Sequence, residues 1–151
     1  MATLAAVMAA GGALRLQAHG LAPKVIEATP VEGRVAKSPD GHFWADARVD
    51  GAAVRLLVDT GSSEVTLTMA DARRIGLDPD RLAYRRRVFT AAGEGAAAEV
   101  MLKRVRIGGA AVEDVHALVM RRGLATSLLG MSYLGRLSRF EATPEAMVLR
   151  P

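Results

Sequence analysis

From about Asp40 onward the chain reads as short strand-like runs, each closed off by a turn signal, a pattern that belongs to all-β folds. Residues 42–49 alternate, with Phe43, Ala45, Ala47 and Val49 on one face. Asp50-Gly51 follows, a dipeptide suited to a tight hairpin because both positions tolerate positive φ. Residues 53–58 return, and the unbroken apolar run Leu56-Leu57-Val58 predicts a strand buried on both faces. Residues 65–67 predict another short strand. Thr68 then stands as an N-cap ahead of Met69-Ala70-Asp71, so a short helix is expected through Ile75, with Gly76 ending it. Residues 85–91 and 97–107 predict strands around a loop containing Gly93-Glu94-Gly95. Gly108-Gly109 turns the chain, and residues 110–112 and 116–120 are two further strand candidates. A short helix is expected over 132–137, and a terminal hairpin over 140–143 and 146–149 around Pro144-Glu145. There is no internal repeat and no heptad pattern.

At 151 residues the chain has room for one domain, and its 50% hydrophobic content suffices for a core. Only 4% is aromatic, so aliphatic side chains and alanine must fill that core. The absence of cysteine excludes a disulfide scaffold, a thiolate zinc site and a cysteine nucleophile, and leaves the compartment open. The formal charge of +4 comes largely from arginine, as in Arg85-Arg86-Arg87 and Arg121-Arg122. No aromatic residue interleaves with these clusters to stack bases, so a solvated face is favoured and no nucleic-acid partner is expected. The opposing reading, a basic nucleic-acid-binding β protein, requires an affinity that falls with salt. Residues 2–14 are uncharged and mostly small or apolar. They are too few to span a bilayer, which takes about 20 residues. Their length suits a signal h-region, although no Lys or Arg precedes them. Residues 1–38 are therefore read as an apolar leader or anchor remnant plus linker, and 39–151 as the folded domain.

The stretch that carries chemistry is LLVDTGSSEVTLT, Leu56 to Thr68. Here an aspartate sits where an apolar strand ends and a glycine-containing turn begins. Burying a carboxylate is costly unless it is hydrogen-bonded. Thr60, Gly61, Ser62 and Ser63 supply hydroxyls and a close-approaching backbone. The tripeptide Asp59-Thr60-Gly61 alone is weak, since composition produces it by chance in on the order of a few per cent of chains this long. By itself it also fits an Asx-type turn. Its context is more specific: an apolar strand leads in, serine follows the glycine, and Ser127-Leu128-Leu129-Gly130-Met131 supplies a second apolar-apolar-glycine element later.

LLVDTGSSEVTL followed by SLLGMSYLGRL resembles the bacterial retropepsin-like aspartic proteases, from about His42 to Arg150. The resemblance implies an all-β acid-protease half-barrel with one or two short helices, and an aspartic endopeptidase needing no metal or cofactor. In this chemistry two carboxylates share a site, and like charges that close cannot both ionise. One acts as general base on a water while the protonated one donates to the scissile carbonyl oxygen. This chain has a single such motif, so the resemblance implies a homodimer with Asp59 from each copy, acting on a peptide or protein. Thr60 would bond across the two-fold axis, Gly61 would allow close backbone approach, and Ser62 would donate to the outer oxygen of Asp59, with an acidic working range. Leu128, Leu129 and Gly130 would form a structural crossing under the loop. The flap would have its tip at Ala92-Gly93-Glu94, without the Tyr or Trp of the family pattern. The terminal hairpin would supply interface strands. Membrane association through the N-terminus is implied as well, favouring the inner membrane or periplasm over the cytoplasm. The same fold also serves as a non-catalytic dimeric peptide-binding module, since fold does not fix function.

Other constellations carry less. His19, His42 and His116 lack metal-ligand spacing, Ser127 is not in a GxSxG elbow, and Gly93-Glu94-Gly95 lacks the ending of a phosphate loop.

Overall fold

The computed structural model describes residues 32–151. The leader or anchor expected in the N-terminal residues falls outside them up to residue 31. The described chain is all-β with short helices: β1 (Gly33–Ala36), β2 (Trp44–Val49), β3 (Ala52–Val58), β4 (Val65–Leu67), α1 (Met69–Arg74), β5 (Arg86–Thr90), β6 (Gly93–Ile107), β7 (Ala110–Met120), β8 (Leu128–Leu129), α2 (Met131–Leu134), β9 (Arg139–Ala142) and β10 (Ala146–Arg150).

Seven strands form one sheet in the order β2-β3-β8-β4-β7-β6-β5, and β2 also pairs with β6 at Arg48↔Arg106 and Val49↔Val105. That extra pairing curls the sheet partly closed around its apolar face. A second sheet has the order β1-β10-β9. One core joins both, with Leu56, Val65, Leu102, Tyr133 and Leu149 all fully buried. Alternation explains β2, where Ala45, Ala47 and Val49 are buried between exposed neighbours. Asp50 and Gly51 both take positive φ, closing the β2–β3 hairpin tightly. In α1 the Thr68 hydroxyl accepts from the Asp71 N–H at 3.1 Å, and Gly76, at φ 90°, lets the chain leave the helix.

Several expectations need correction. The folded unit begins before residue 39, because β1 pairs with β10 from Gly33↔Leu149 to Ala36↔Ala146 and buries Val35. Gly33 lies so close to the Ile107 carbonyl that an added Cβ would stand 2.4 Å from it. Residues 110–112 and 116–120 form one strand. Asp114 takes a φ of 50°, yet Leu102↔Val115 and Arg104↔Glu113 keep the register on either side, so the strand kinks without ending. Gly93-Glu94-Gly95 lies inside β6, and the hairpin turn is Ala91-Ala92. Leu56 is buried, whereas Leu57 and Val58 are only half-buried in the single chain.

Candidate active site

Consecutive strands β3 and β4 are not neighbours. The two residues of β8 lie between them, parallel to β3 at Leu57↔Leu128 and Val58↔Leu129 and antiparallel to β4 at Thr66↔Leu128. The segment from Asp59 to Glu64 must therefore bridge over β8, and the backbone beneath ties it down. The Asp59 N–H donates to the Leu129 carbonyl at 3.1 Å. The Met131 and Ser132 N–H groups donate to the Ser62 and Ser63 carbonyls, each at 2.8 Å. Gly130 completes the contact, since a Cβ there would lie 2.2 Å from the Glu64 carbonyl oxygen and 2.7 Å from that of Ser62. Its φ of −95° is open to any residue, so glycine is required here by space alone.

Two serines flank this element. The Ser132 hydroxyl accepts from the Val65 N–H at 2.8 Å and donates to the His116 carbonyl at 2.7 Å. Ser127 is fully buried; its hydroxyl donates to Asp71 at 2.6 Å and accepts from the Thr68 N–H at 3.0 Å. A buried hydroxyl so satisfied links β8 to the start of α1.

Asp59 is half-buried, and its Oδ1 accepts the Gly61 N–H at 2.9 Å. A Cβ on Gly61 would approach that oxygen to 3.1 Å. Thr60 is exposed. The Ser62 hydroxyl does not reach Asp59 as expected; it donates to the Glu64 carbonyl at 2.8 Å, a nearer acceptor across its own turn.

Asp59 opens onto a cleft of about 560 Å³ between its loop and the β5–β6 hairpin. Glu64 and Thr66 line the loop side, Val88, Thr90 and Ala92 the hairpin side, and Leu118, Met120 and Leu124 give it apolar wall. Of the residues proposed for a flap tip, Ala92 lines the cleft, whereas Glu94 pairs with Arg87 and Gly93 sits in the strand. Phe89, 82% exposed, is the aromatic side chain nearest the turn. The base of the hairpin is pinned by Arg86, which bonds Glu99 and Glu64 at 2.9 Å each. These bonds, that from Glu99 first, hold the guanidinium above its usual range.

Reasoning from sequence missed Glu64, Arg86, Ser127 and Ser132 as parts of this site. The serines were legible as a pair framing Leu128-Leu129-Gly130-Met131. The Glu64–Arg86 contact had no signal, because its partners lie on separate elements.

A sequence profile of the gag-polyprotein putative aspartyl protease family matches residues 45–136, the stretch holding both the Asp59 loop and the element beneath it. A crystal structure of a retropepsin-like aspartic protease from Rickettsia conorii superposes with a TM-score of 0.70 at 37% identity, covering 78% of this chain and 98% of that one. The chain belongs to the retropepsin-like aspartic protease family. Lower-identity structures share the fold of this retropepsin-like chain. The EIAV protease complexed with the inhibitor HBY-793 matches with a TM-score of 0.54 at 16% identity, over 65% of this chain and 89% of that one. Among curated proteins, the retropepsin-like chain is 36% identical to an uncharacterised protein of Rickettsia prowazekii, over 95% of this chain and 65% of that protein. It is 43% identical to an uncharacterised protein in the cobV 5′ region of a Sinorhizobium species, over 76% of this chain and 49% of that one. The chain thus spans about half to two thirds of the length of these curated relatives.

Proposed function

We propose that this chain is an aspartic endopeptidase that hydrolyses peptide bonds as a homodimer, with Asp59 contributed by each copy. The observation that carries the reading is the position of Asp59. It stands half-buried, on a loop braced by backbone, at the wall of a cleft of about 560 Å³ between that loop and the β5–β6 hairpin. The other carboxylate of that cleft, Glu64, is engaged by Arg86 and does not pair with Asp59. A second catalytic carboxylate therefore comes from a second copy, through an isologous contact.

In the dimer the two carboxylates share one proton, because like charges at contact distance cannot both ionise. The charged one removes a proton from water as that water attacks the scissile carbonyl carbon. The protonated one donates to the carbonyl oxygen, and collapse of the tetrahedral species passes a proton to the leaving amine. Closing the hairpin excludes bulk water and strengthens these interactions. The pair titrates as a unit, with neither step belonging to one chain.

The test is a peptide-library digestion at several protein concentrations, alongside sedimentation. Specific activity is expected to fall as the dimer dissociates on dilution. Cleavage that persists in a demonstrated monomer sinks the mechanism. A wild-type dimer that cleaves nothing at acidic or neutral pH returns the chain to a peptide-binding role.

A further inference from the structure

The apolar wall of the Asp59 cleft belongs to a sheet face that runs on beyond the cleft. In the β6–β7 ladder Ala97 stands opposite Met120, Glu99 opposite Leu118 and Met101 opposite His116, so each pair shares one face. Met120 and Leu118 line the cleft. Met101, on the same face, lines a second groove of about 830 Å³ on the side of the β2–β6 pairing. Between Met101 and the end of β6 the kink at Asp114, with its φ of 50°, shifts the alternation by one on both strands. Lys103 and Arg104 are therefore exposed in succession, and Arg106 follows them. One continuous face thus leads from the apolar cleft wall, past Met101, to a run of cations.

The charges in the second groove do not balance. Arg48, Lys103, Arg104 and Arg106 line it with one carboxylate, Asp50, whose Oδ1 already accepts the Arg104 N–H at 2.9 Å. Arg48 and Arg106 are direct cross-strand partners, a placement that is unfavourable unless something negative lies over it. Glu113 approaches the Arg104 side chain only at 3.8 Å. Arg55 and Arg121 differ, because each lies over an aromatic ring, that of Trp44 at 5.4 Å and that of Tyr84 at 5.2 Å. What sets the groove apart is the convergence of four cations on one concave surface. Ile75, Leu77 and Met101 lie among them, and Met101 is 48% exposed. No aromatic ring lines the groove, so it has nothing on which to stack a nucleic-acid base. Cations alternating with apolar side chains match a polypeptide that carries acidic and apolar residues by turns.

We propose that this groove is a docking surface for an acidic segment of the polypeptide substrate, outside the cleft where the bond is cut. The proposal rests on the peptidase reading above and adds a requirement of spacing. From Ala97 at the cleft to Lys103 and Arg106 is about six to nine residues of β6, or roughly 20–30 Å at about 3.3 Å per residue. An extended substrate lying along the same face therefore places its acidic residues about that many positions from those held in the cleft. Binding energy gained there is the same before and during bond cleavage, so it lowers KM and leaves kcat unchanged.

The test has a binding arm and a turnover arm. Fluorescence anisotropy on the full chain carrying Asp59→Asn, which leaves peptides uncut, compares a labelled peptide alternating glutamate and leucine with its lysine–leucine counterpart. The acidic peptide is expected to bind more tightly, with an advantage that shrinks as salt rises. Adding Arg48→Gln, Arg106→Gln should weaken it about fivefold, and Arg48→Lys, Arg106→Lys should keep the binding. Arg34→Gln, Arg122→Gln removes the same charge elsewhere and should leave it unchanged. Circular dichroism establishes that each variant keeps the fold. In the turnover arm, with Asp59 intact, an acidic segment at the stated spacing should lower KM about fivefold against a neutral one. That difference should vanish in Arg48→Gln, Arg106→Gln, which should cleave short peptides like wild type. Equal binding of the two peptides, an equal loss in the Arg34/Arg122 variant, displacement of the acidic peptide by oligothymidylate at lower concentration, or a KM indifferent to the acidic segment would overturn the proposal. If no peptide is cleaved, the peptidase reading fails by itself, and with it the substrate role, while the binding arm still decides whether the groove takes an acidic chain.

Discussion

The two walls of the Asp59 cleft are built on different principles. The loop wall is held by backbone hydrogen bonds to residues 129–132 and by the close approach of Gly130, with a hydrogen-bonded serine at either end, Ser127 fully buried and Ser132 half-buried. The hairpin wall is a two-stranded ribbon with an exposed turn; at its base Val88 packs on Ala97, Leu118 and Met120 and the Arg121 N–H donates to the Ala96 carbonyl, and the Arg86–Glu64 ion pair near solvent ties it to the loop wall. Buried, satisfied backbone contacts resist displacement, whereas exposed ion pairs are worth about 0–1 kcal/mol each. Under the proposed mechanism, the first wall fixes the reacting carboxylate and the second is the one that opens and closes. A polypeptide substrate needs both properties, since it must enter a covered site yet meet a carboxylate already in place.

Four substitutions grade that contrast. Gly130→Ala should be the most damaging, because the new methyl meets immovable carbonyls. A loss of about 3 kcal/mol or more in urea unfolding is expected, and a loss near zero would mean that the loop yields. Ser127→Ala should cost about 2 kcal/mol by the same measurement, since it strands the Thr68 N–H and removes a donor from Asp71. Arg86→Met should cost under about 1 kcal/mol while speeding amide exchange in β5 and leaving residues 59–64 protected. If its cost matches that of Ser127→Ala, the hairpin is not the weaker wall. Asp59→Asn should shift stability least, because the amide oxygen still accepts from Gly61. Under the proposed mechanism it should nonetheless abolish cleavage and pepstatin-type inhibitor binding while the dimer persists, a fall in turnover of at least about 10²-fold.

Much of this arrangement was legible in the residues. Alternation gave β2, the Asp50-Gly51 turn gave the first hairpin, and Thr68 with Asp71 gave α1. Local chemistry decides those features. Features decided by distant partners were not legible. β1 is a four-residue strand opening on glycine whose partner lies at the opposite end of the described chain, so no nearby pattern marks it. The hydroxyl of Ser62 was expected on Asp59, yet it prefers the Glu64 carbonyl two residues on, and nothing in composition ranks the two acceptors. Asp114 reads as a strand breaker, but β6 on one side carries the ladder through it. The apolar wall of the cleft comes from Leu118, Met120 and Leu124, which the sequence offered only as ordinary core-forming residues.

The threading of β8 between β3 and β4 has a consequence for synthesis. A nascent chain that has emerged only through β7 contains the whole Asp59 motif but none of Leu129, Met131 or Ser132, so the loop has nothing to rest on. The gap between β3 and β4 is filled only when residues 128–132 leave the ribosome, and the β1–β10 pairing waits for residues 146–149. Prematurely terminated products therefore carry the motif without the site.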